Sequence, residues 1–296
     1  MERLAIIDLG TNTFNLLIVE RHEKAFKEIY VDRVGVGLGL GGINEKRIAP
    51  EAFQRGLKTI KHFKSICAEH GVENIKPFGT SAVRNAENKE AFIAAVKEQA
   101  GLEIKVVSGE EEAGFIYQGV SGGAEIEEPY LIMDIGGGST EFIFAKQEGI
   151  IKARSFEIGA ARIFQKFDFA DPLSNDDVVA IEAYLEKNTQ PFFDEIQTDV
   201  LVGASGSFET FYELITRVEY PKNKYVKPNI AHFEFFLNRI IQSTMAEREQ
   251  EDRIIPIRKK MAPIAAVKIR WIIRKLDITK VMISPNALKE GVLWDM

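Results

Sequence analysis

The chain has 296 residues, and its 38 Lys and Arg against 44 Asp and Glu give a formal net charge of −6. At roughly 100–200 residues per domain this length predicts two domains, and hydrophobic and charged shares of 45% and 28% exclude disordered and fibrous classes. A single cysteine, Cys67, excludes an internal disulfide framework and a cysteine-based zinc site.

Charge and hydropathy also limit the kinds of partner. A mildly acidic chain argues against a general nucleic-acid binder. The longest apolar runs, such as residues 264–267, stop far short of a membrane span, and Asp8 interrupts the first apolar run too early for a signal peptide. We therefore expect a soluble, cytoplasmic protein with neither a nucleic-acid nor a membrane partner.

In chain order, short apolar strands alternate with amphipathic helices. The first half predicts strands at 4–7, 14–19 and 104–107, and helices at 50–70 and 88–100. A glycine-rich stretch at 119–123 follows, and then strands at 130–133, 141–145 and 200–202, a helix that begins after Ser174 and another from about Phe208. The last third is mostly helical in pattern. This order predicts an α/β protein, with the domain boundary in the glycine-rich region at 119–124.

One motif occurs twice at the end of a predicted strand. Residues 8–13 (DLGTNT) and 134–140 (DIGGGST) each begin with Asp, continue with Leu or Ile and Gly, and end in small polar residues. Glycine lets backbone N–H groups approach an anion, hydroxyls add donors, and an Asp beside the loop can hold Mg²⁺. The motif therefore predicts a hairpin that holds phosphate.

An ordinary hairpin turn is the alternative for a single copy, because Gly, Asn, Ser and Thr all favour turns. Two copies that lie 134 − 8 = 126 residues apart favour a duplicated domain with both loops facing one cleft. A third segment, residues 203–207 (GASGS), follows a strand and opens a helix, so it is a candidate second anion contact or a simple strand-to-helix loop.

Together these stretches resemble the exopolyphosphatase/guanosine pentaphosphate phosphohydrolase family, which belongs to the fold group of actin, the heat-shock chaperone ATPases and the sugar kinases. The matching stretches follow the family's order over nearly the whole chain: AIIDLGTNTF (5–14), TSAVRNA (80–86), SGEEEA (108–113), DIGGGSTE (134–141), GASGS (203–207) and LKEGVL (288–293). The resemblance implies two α/β domains of the ribonuclease H-like, actin-like kind, with the active cleft between them. We expect these domains at 1–122 and 123–284, and residues 285–296 to pack back on the first.

The resemblance also implies roles for individual residues. Glu112 matches the glutamate that activates the attacking water, and Arg84 matches an arginine that reaches the phosphates. Chemistry alone leaves Glu110, Glu111 and Glu112 open, because acidic residues in a first helical turn are also favoured by the helix dipole. The expected metal ligands are Asp8, Asp134 and Glu141, and the expected phosphate contacts are Thr11, Asn12, Thr13, Gly136, Gly137, Gly138, Ser139, Ser205 and Gly206.

The implied function is Mg²⁺-dependent hydrolysis of a terminal phosphoanhydride, with inorganic polyphosphate or guanosine penta- or tetraphosphate as partner. Two alternatives stay open: an ATP-dependent small-molecule kinase of the same fold group, and a nucleotide- or polyphosphate-binding sensor with little turnover. A homodimer is compatible with the sequence. Longer family members carry further helical domains, so 296 residues favour a short polyphosphate or a nucleotide over long chains.

Two further segments have ordinary interpretations. Residues 37–42 match G-x-G-x-x-G literally but lack a helix directly after them, which favours a flexible connection or a loop near the cleft mouth over a dinucleotide site. From Arg258 to Lys275 the chain has seven Lys and Arg and no Asp or Glu. This basic segment predicts either a path that attracts a polyanion or a solvated helix face.

Overall fold

A computed structural model describes residues 2–22, 25–123 and 126–295. The chain divides into two compact units, one that ends at Glu112 and one that runs from Ala113 to Asp295. Each unit contains a five-stranded mixed sheet and its own hydrophobic core. No helix in the described ranges combines the length and the apolar character needed to cross a bilayer.

The first unit opens with an antiparallel meander and continues with parallel strands. Its elements are β1 (Arg3–Leu9), β2 (Thr13–His22), β3 (Ala25–Gly35), a 3-10 turn (Ile43–Glu45), α1 (Pro50–Glu69), β4 (Asn74–Gly79), α2 (Ser81–Arg84), α3 (Lys89–Ala100) and β5 (Lys105–Val106). The sheet order is β3-β2-β1-β4-β5. Residues 4–7 of β1 are all buried, as the continuous apolar run of a central strand requires.

Helix α4 (Gly109–Ser121) begins in the first unit and continues into the second. The second unit contains β6 (Tyr130–Ile135), β7 (Thr140–Lys146), β8 (Gly149–Phe156), α5 (Ala160–Lys166), α6 (Asn175–Thr189), β9 (Val200–Ala204), α7 (Gly206–Thr216), α8 (Ile230–Ile241), α9 (Met245–Glu249), α10 (Pro256–Lys259), α11 (Ala262–Lys275), β10 (Lys280–Ile283) and α12 (Leu288–Trp294). Its sheet order is β10-β9-β6-β7-β8. Ser174 and Asp177 form the predicted capping box that starts α6.

The two sheets have the same topology. In each, the first strand pairs antiparallel with the second and the second with the third. On its other side the first strand pairs parallel with a fourth strand, and a fifth strand continues parallel beyond it. Both copies of the repeated motif fall in the turn between the first two strands. The predicted α/β class and the duplication are therefore confirmed.

The glycine-rich stretch at 119–123 has a packing role that sequence did not predict. Its first residues lie within α4, and α12 packs directly on that helix. A Cβ on Gly119 would lie 2.1 Å from the carbonyl oxygen of Ala287, and a Cβ on Gly291 of α12 would lie 1.7 Å from that of Phe115, so the close approach of the two backbones requires glycine on both sides. The C-terminal residues thus contact the part of α4 that the structure groups with the second unit. Residues 124, 125 and 296 of the predicted boundary and tail lie outside the described residues.

Candidate active site

The turn between β1 and β2 is held by its carbonyl groups. The Thr11 carbonyl accepts a hydrogen bond from the Gly39 amide at 3.0 Å, and the Asn12 carbonyl accepts from the amides of residues 36 and 37 at 2.9 and 2.8 Å. Within a planar peptide the N–H points opposite to the C=O, so the amides that follow these carbonyls point away from the anchoring segment. Residues 37–42, predicted to form a flexible connection or a loop at a cleft mouth, therefore include the anchor of this turn.

The turn between β6 and β7 is held in the same way. The carbonyls of Gly136, Gly137 and Gly138 accept hydrogen bonds from amides of residues 159–162 at 2.9 to 3.1 Å. Arg162 Nε also donates to the Gly138 carbonyl at 3.0 Å. Three successive carbonyls thus face the start of α5, and the three amides in the same peptide units point to the opposite side. Such an array of amides is suited to binding an anion.

The predicted phosphate contacts differ in exposure. Asn12, Gly136 and Gly137 are half-buried, whereas the remaining turn residues Thr11, Thr13, Gly138 and Ser139 are buried. Asn12, Gly136 and Gly137, at the tips of the two turns, are therefore the most accessible of the contacts predicted in these turns. Gly206, also predicted, is buried at the start of α7.

The half-buried Arg84 and the buried Glu112 form an ion pair. Arg84 is the last residue of α2, and its Nη1 donates to Glu112 Oε2 at 2.6 Å and to the Val107 carbonyl at 3.2 Å. Glu112 lies in the first turns of α4 and is 6% exposed. The two residues meet because α2 and α4 follow the parallel strands β4 and β5, whose carboxyl ends share one edge of the sheet.

The three neighbouring glutamates have different environments. Glu111 accepts a hydrogen bond from the Ser108 amide at 2.8 Å and donates its own amide to Ser108 Oγ at 3.0 Å, which is a capping box for α4. The hydrogen bond from the Ser108 amide lowers the pKa of Glu111 below its usual range. Glu110 is exposed, and Glu112 alone of the three is buried against Arg84. The Ser108-x-x-Glu111 pattern is the sequence signal that could have identified Glu111 as the helix cap.

Each motif aspartate begins a row of polar side chains across its sheet. In the first unit Asp8 lies opposite Asn15, which lies opposite Arg33. Asn15 Nδ2 donates to Asp8 Oδ2 at 2.9 Å, and Arg33 Nε donates to Asn15 Oδ1 at 3.0 Å. Asn15 and Arg33 were not predicted. An amide and a guanidinium thus follow the aspartate in this unit.

In the second unit two carboxylates occupy the equivalent row. Asp134 lies opposite Glu141, which lies opposite Ser155. Glu141 is 1% exposed and accepts a hydrogen bond from Ser155 Oγ at 2.6 Å. Directly opposed residues share a face of the sheet, so two acidic side chains lie side by side here. The second unit therefore concentrates negative charge where the first has an amide.

Ser205 holds Asp134 from a strained position. Its Oγ donates to Asp134 Oδ1 at 2.5 Å, and its backbone has φ 65° and ψ 177°, a region that is essentially restricted to glycine. Burial raises the pKa of Asp134 to about 6, although the hydrogen bond from Ser205 and the charge of Arg258 lower it. Strain of this kind persists only where the surrounding structure enforces it, which is common in functional sites.

Lys268 places a buried amine in the same unit. It is 0% exposed, and its ammonium donates to Thr140 Oγ1 and to the Ile158 carbonyl. Burial lowers the pKa of Lys268 to about 7, and the charges of Glu141 and Asp134 oppose this shift. Both interpretations of the basic segment, a polyanion path and a solvated face, are wrong for this residue.

Other cations of that segment are also paired within the unit. Arg270 contacts Glu182 at 3.2 Å and Lys275 contacts Glu186 at 2.7 Å. Their charges are thus largely offset by carboxylates on α6. A sequence run without acidic residues did not reveal this, because the neutralising side chains come from an element far away in the chain.

The carboxylates also allow a test of fit for a divalent cation. Within the described ranges, no three His, Cys, Asp or Glu side chains are grouped closely enough to hold a metal ion by themselves. Asp134 and Glu141 nevertheless supply two hard oxygen ligands, and Ser205 engages only Oδ1 of Asp134 among its described hydrogen bonds. This donor set fits Mg²⁺, which usually takes one or two carboxylates together with waters and substrate phosphates.

The chain is similar in sequence to known phosphatases. A model of the Ppx/GppA phosphatase family matches residues 17–296. A bifunctional 3-dehydroquinate synthase/phosphatase from Fusobacterium nucleatum is 30% identical over 307 aligned residues, which cover 97% of this chain and 46% of that protein. The chain therefore spans about half the length of this curated relative.

Solved structures resemble the chain over its whole length. A crystal structure of an exopolyphosphatase from Cytophaga hutchinsonii matches with a TM-score of 0.96 and 33% identity, covering 100% of this chain and 97% of that one. The Aquifex aeolicus PPX-GPPA enzyme matches with a TM-score of 0.81 and 24% identity, covering 100% and 99%. These likenesses confirm the predicted fold class.

Proposed function

Because the chain belongs to the Ppx/GppA phosphatase family, we propose that it hydrolyses the terminal phosphoanhydride bond of inorganic polyphosphate. The protein from Cytophaga hutchinsonii that is called an exopolyphosphatase supports this substrate class. Guanosine pentaphosphate ends in the same kind of bond, and we propose it as a second substrate.

The observation that carries the proposal is the ion pair between Arg84 and the buried Glu112. Hydrolysis of a phosphoanhydride needs an oriented water and stabilisation of the charge on the transferred phosphoryl group. Glu112 can accept the proton of that water, and its hydrogen bond from Arg84 Nη1 fixes its orientation. A guanidinium carries five N–H donors, so Arg84 can hold Glu112 and a phosphoryl oxygen together.

The anchored turns support phosphate binding. In each unit the turn carbonyls are occupied by a later segment of the chain, which fixes the outward amides before any ligand arrives. Donors that are held in place in advance stabilise a developing charge without reorganisation during the reaction. We therefore assign the amides of the turns at 10–13 and 136–139 to substrate phosphates.

Within the second unit Asp134 and Glu141 would hold Mg²⁺, and within the first unit Asp8 is a candidate metal ligand. When bound, the cation would offset the charge of the phosphate oxygens. Ser205 contributes by holding Asp134 in a fixed rotamer through its Oγ.

The proposal is tested by phosphate release from tripolyphosphate, long polyphosphate and guanosine pentaphosphate with purified protein and Mg²⁺. We expect release from at least one of these substrates, and a loss of at least about a hundredfold in Glu112→Gln, since general base catalysis contributes about 10²–10⁴-fold. Glu110→Gln is the matched control, because it removes a neighbouring exposed carboxylate. Normal release by Glu112→Gln would overturn the mechanism.

The same assay separates the other functions. A kinase of the same fold group would consume ATP only when an acceptor is added. A sensor would bind tripolyphosphate but release no phosphate from any of the three substrates. Either result would replace the hydrolase assignment.

A further inference from the structure

Lys268 occupies a position that the proposed chemistry does not use. It lies in the middle of α11 and is fully buried, and its ammonium is bonded to two acceptors from elements distant in the chain. Moving an ionisable amine out of water into a protein interior is unfavourable unless it is well paired. An apolar side chain would fill the same core at a lower cost, so the buried amine and its two hydrogen bonds call for an explanation.

Both acceptors belong to segments that shape the turn at 136–139. Thr140 is the residue directly after the turn, and its hydroxyl donates to the Ser139 carbonyl at 3.0 Å. Ile158, whose carbonyl accepts from Lys268 at 2.6 Å, directly precedes the residues that anchor the turn carbonyls. One ammonium thus ties the end of the turn to the start of its anchor.

The charges around Lys268 favour this arrangement. From the neighbouring strands, the carboxylates of Glu141 and Asp134 both attract the ammonium. The other cations of α11 are directed elsewhere, since Arg270 and Lys275 pair with glutamates of α6. Among the described side chains of α11, Lys268 is the one that donates hydrogen bonds to the turn region.

We propose that Lys268 is a positioning residue that holds the turn at 136–139 in its anion-binding shape. It acts through the Thr140 hydroxyl on one side and the Ile158 carbonyl on the other. This inference rests on the proposed function in assigning the turn amides to substrate phosphates. It adds a residue outside the turn whose loss weakens phosphate binding without contact with the substrate.

The test compares Lys268→Met with Lys275→Met, which removes a lysine from the same helix but one that is bonded to Glu186. We expect Lys268→Met to raise both KM and the calorimetric Kd for tripolyphosphate, with Mg²⁺ present, at least fivefold. We expect Lys275→Met to change them less than twofold. Loss of folded protein lowers the apparent kcat but leaves KM unchanged, so KM separates positioning from general destabilisation.

A second variant keeps the proposal testable if Lys268→Met does not fold. Thr140→Val retains the lysine but removes its link to the Ser139 carbonyl, and we expect the same direction of change in KM and Kd. Where both variants fold, the double variant should lose no more affinity than Lys268→Met alone, because the two residues act in series. Additive losses would contradict this path.

Amide exchange gives a readout that does not depend on hydrolysis. In Lys268→Met we expect faster hydrogen–deuterium exchange at residues 159–162, whose amides anchor the turn, and no change in Lys275→Met. If KM, Kd and exchange in a folded Lys268→Met or Thr140→Val protein stay within twofold of the parent, the inference is overturned. If the parent binds tripolyphosphate but releases no phosphate, the proposed function fails and the Kd and exchange measurements still decide the role of Lys268.

Discussion

Replacing Asp134 with asparagine is expected to stabilise the metal-free protein at neutral pH while it reduces phosphate release. Asp134 is 7% exposed, and burial penalises its charged form more than Ser205 and the nearby cations stabilise it. Asparagine has nearly the same shape, carries no charge and keeps an oxygen that can accept the Ser205 hydrogen bond. The variant therefore removes the cost of the charge and retains the contact.

The size and sign of this effect follow from the pKa of Asp134. Folding raises that pKa from 3.8 to about 6, and at about 1.36 kcal/mol per unit the penalty is at most about 3 kcal/mol. Between these two values the folded state binds more protons than the unfolded state, so this group lowers the free energy of unfolding as pH rises. The penalty is complete above about pH 6 and absent below about pH 3.8.

The assay is urea unfolding in EDTA at pH 7.5 and at pH 3.5, with phosphate release measured separately in Mg²⁺. We expect Asp134→Asn to be more stable than the parent at pH 7.5 and equal to it at pH 3.5. Asp252→Asn is the control, because Asp252 is exposed. A variant that is no more stable at pH 7.5, or that gains the same amount at both pH values, would refute the reasoning.

Three further predictions concern single residues. Glu111→Gln should lower the free energy of unfolding by about 1 kcal/mol through a weaker capping box, yet retain phosphate release, whereas Glu112→Gln should lose phosphate release. Urea unfolding and a phosphate assay check both variants, and an equal loss of phosphate release would contradict the assignment of Glu112. Gly159→Ala should raise the KM for tripolyphosphate at least fivefold, because the Cβ of the alanine would lie 2.3 Å from the backbone of Gly137 and displace the turn. An unchanged KM in a folded variant would show that this turn does not bind the substrate. Burial raises the pKa of Cys67 to about 11, so its thiol should react with a disulfide reagent at pH 8 only in the unfolded protein, and rapid labelling of the native chain would show that it is accessible.

The sequence predicted those parts of the fold that depend on local patterns. The continuous apolar runs of β1 and β6 identified the two central strands, and the paired motifs identified the turns beside them. The duplication followed from these turns. The edge strands β3 and β8 were not predicted, because their exposed residues interrupt the apolar pattern.

Contacts between distant segments could not be predicted from local patterns. In the sequence Lys268 is one of several cations in a basic segment. Its role follows only from the packing of α11 against β7 and the β8–α5 connection. The strain at Ser205 is similarly invisible in a Gly-Ala-Ser-Gly-Ser segment, which suggests flexibility. The resemblance singled out Glu112 among the three glutamates, but its contact with Arg84 became visible only in the structure.

The arrangement around the second turn also has a consequence for the order of folding. The turn, its flanking strands and its anchor lie within residues 130–162, so the hydrogen bonds that join them to one another are local in sequence. Lys268, in contrast, is 128 residues from Thr140 and 110 from Ile158, and reaches them only when α11 docks. During refolding the β6–β8 meander should therefore become protected early, while affinity for tripolyphosphate should appear in a later phase that is set by the docking of α11.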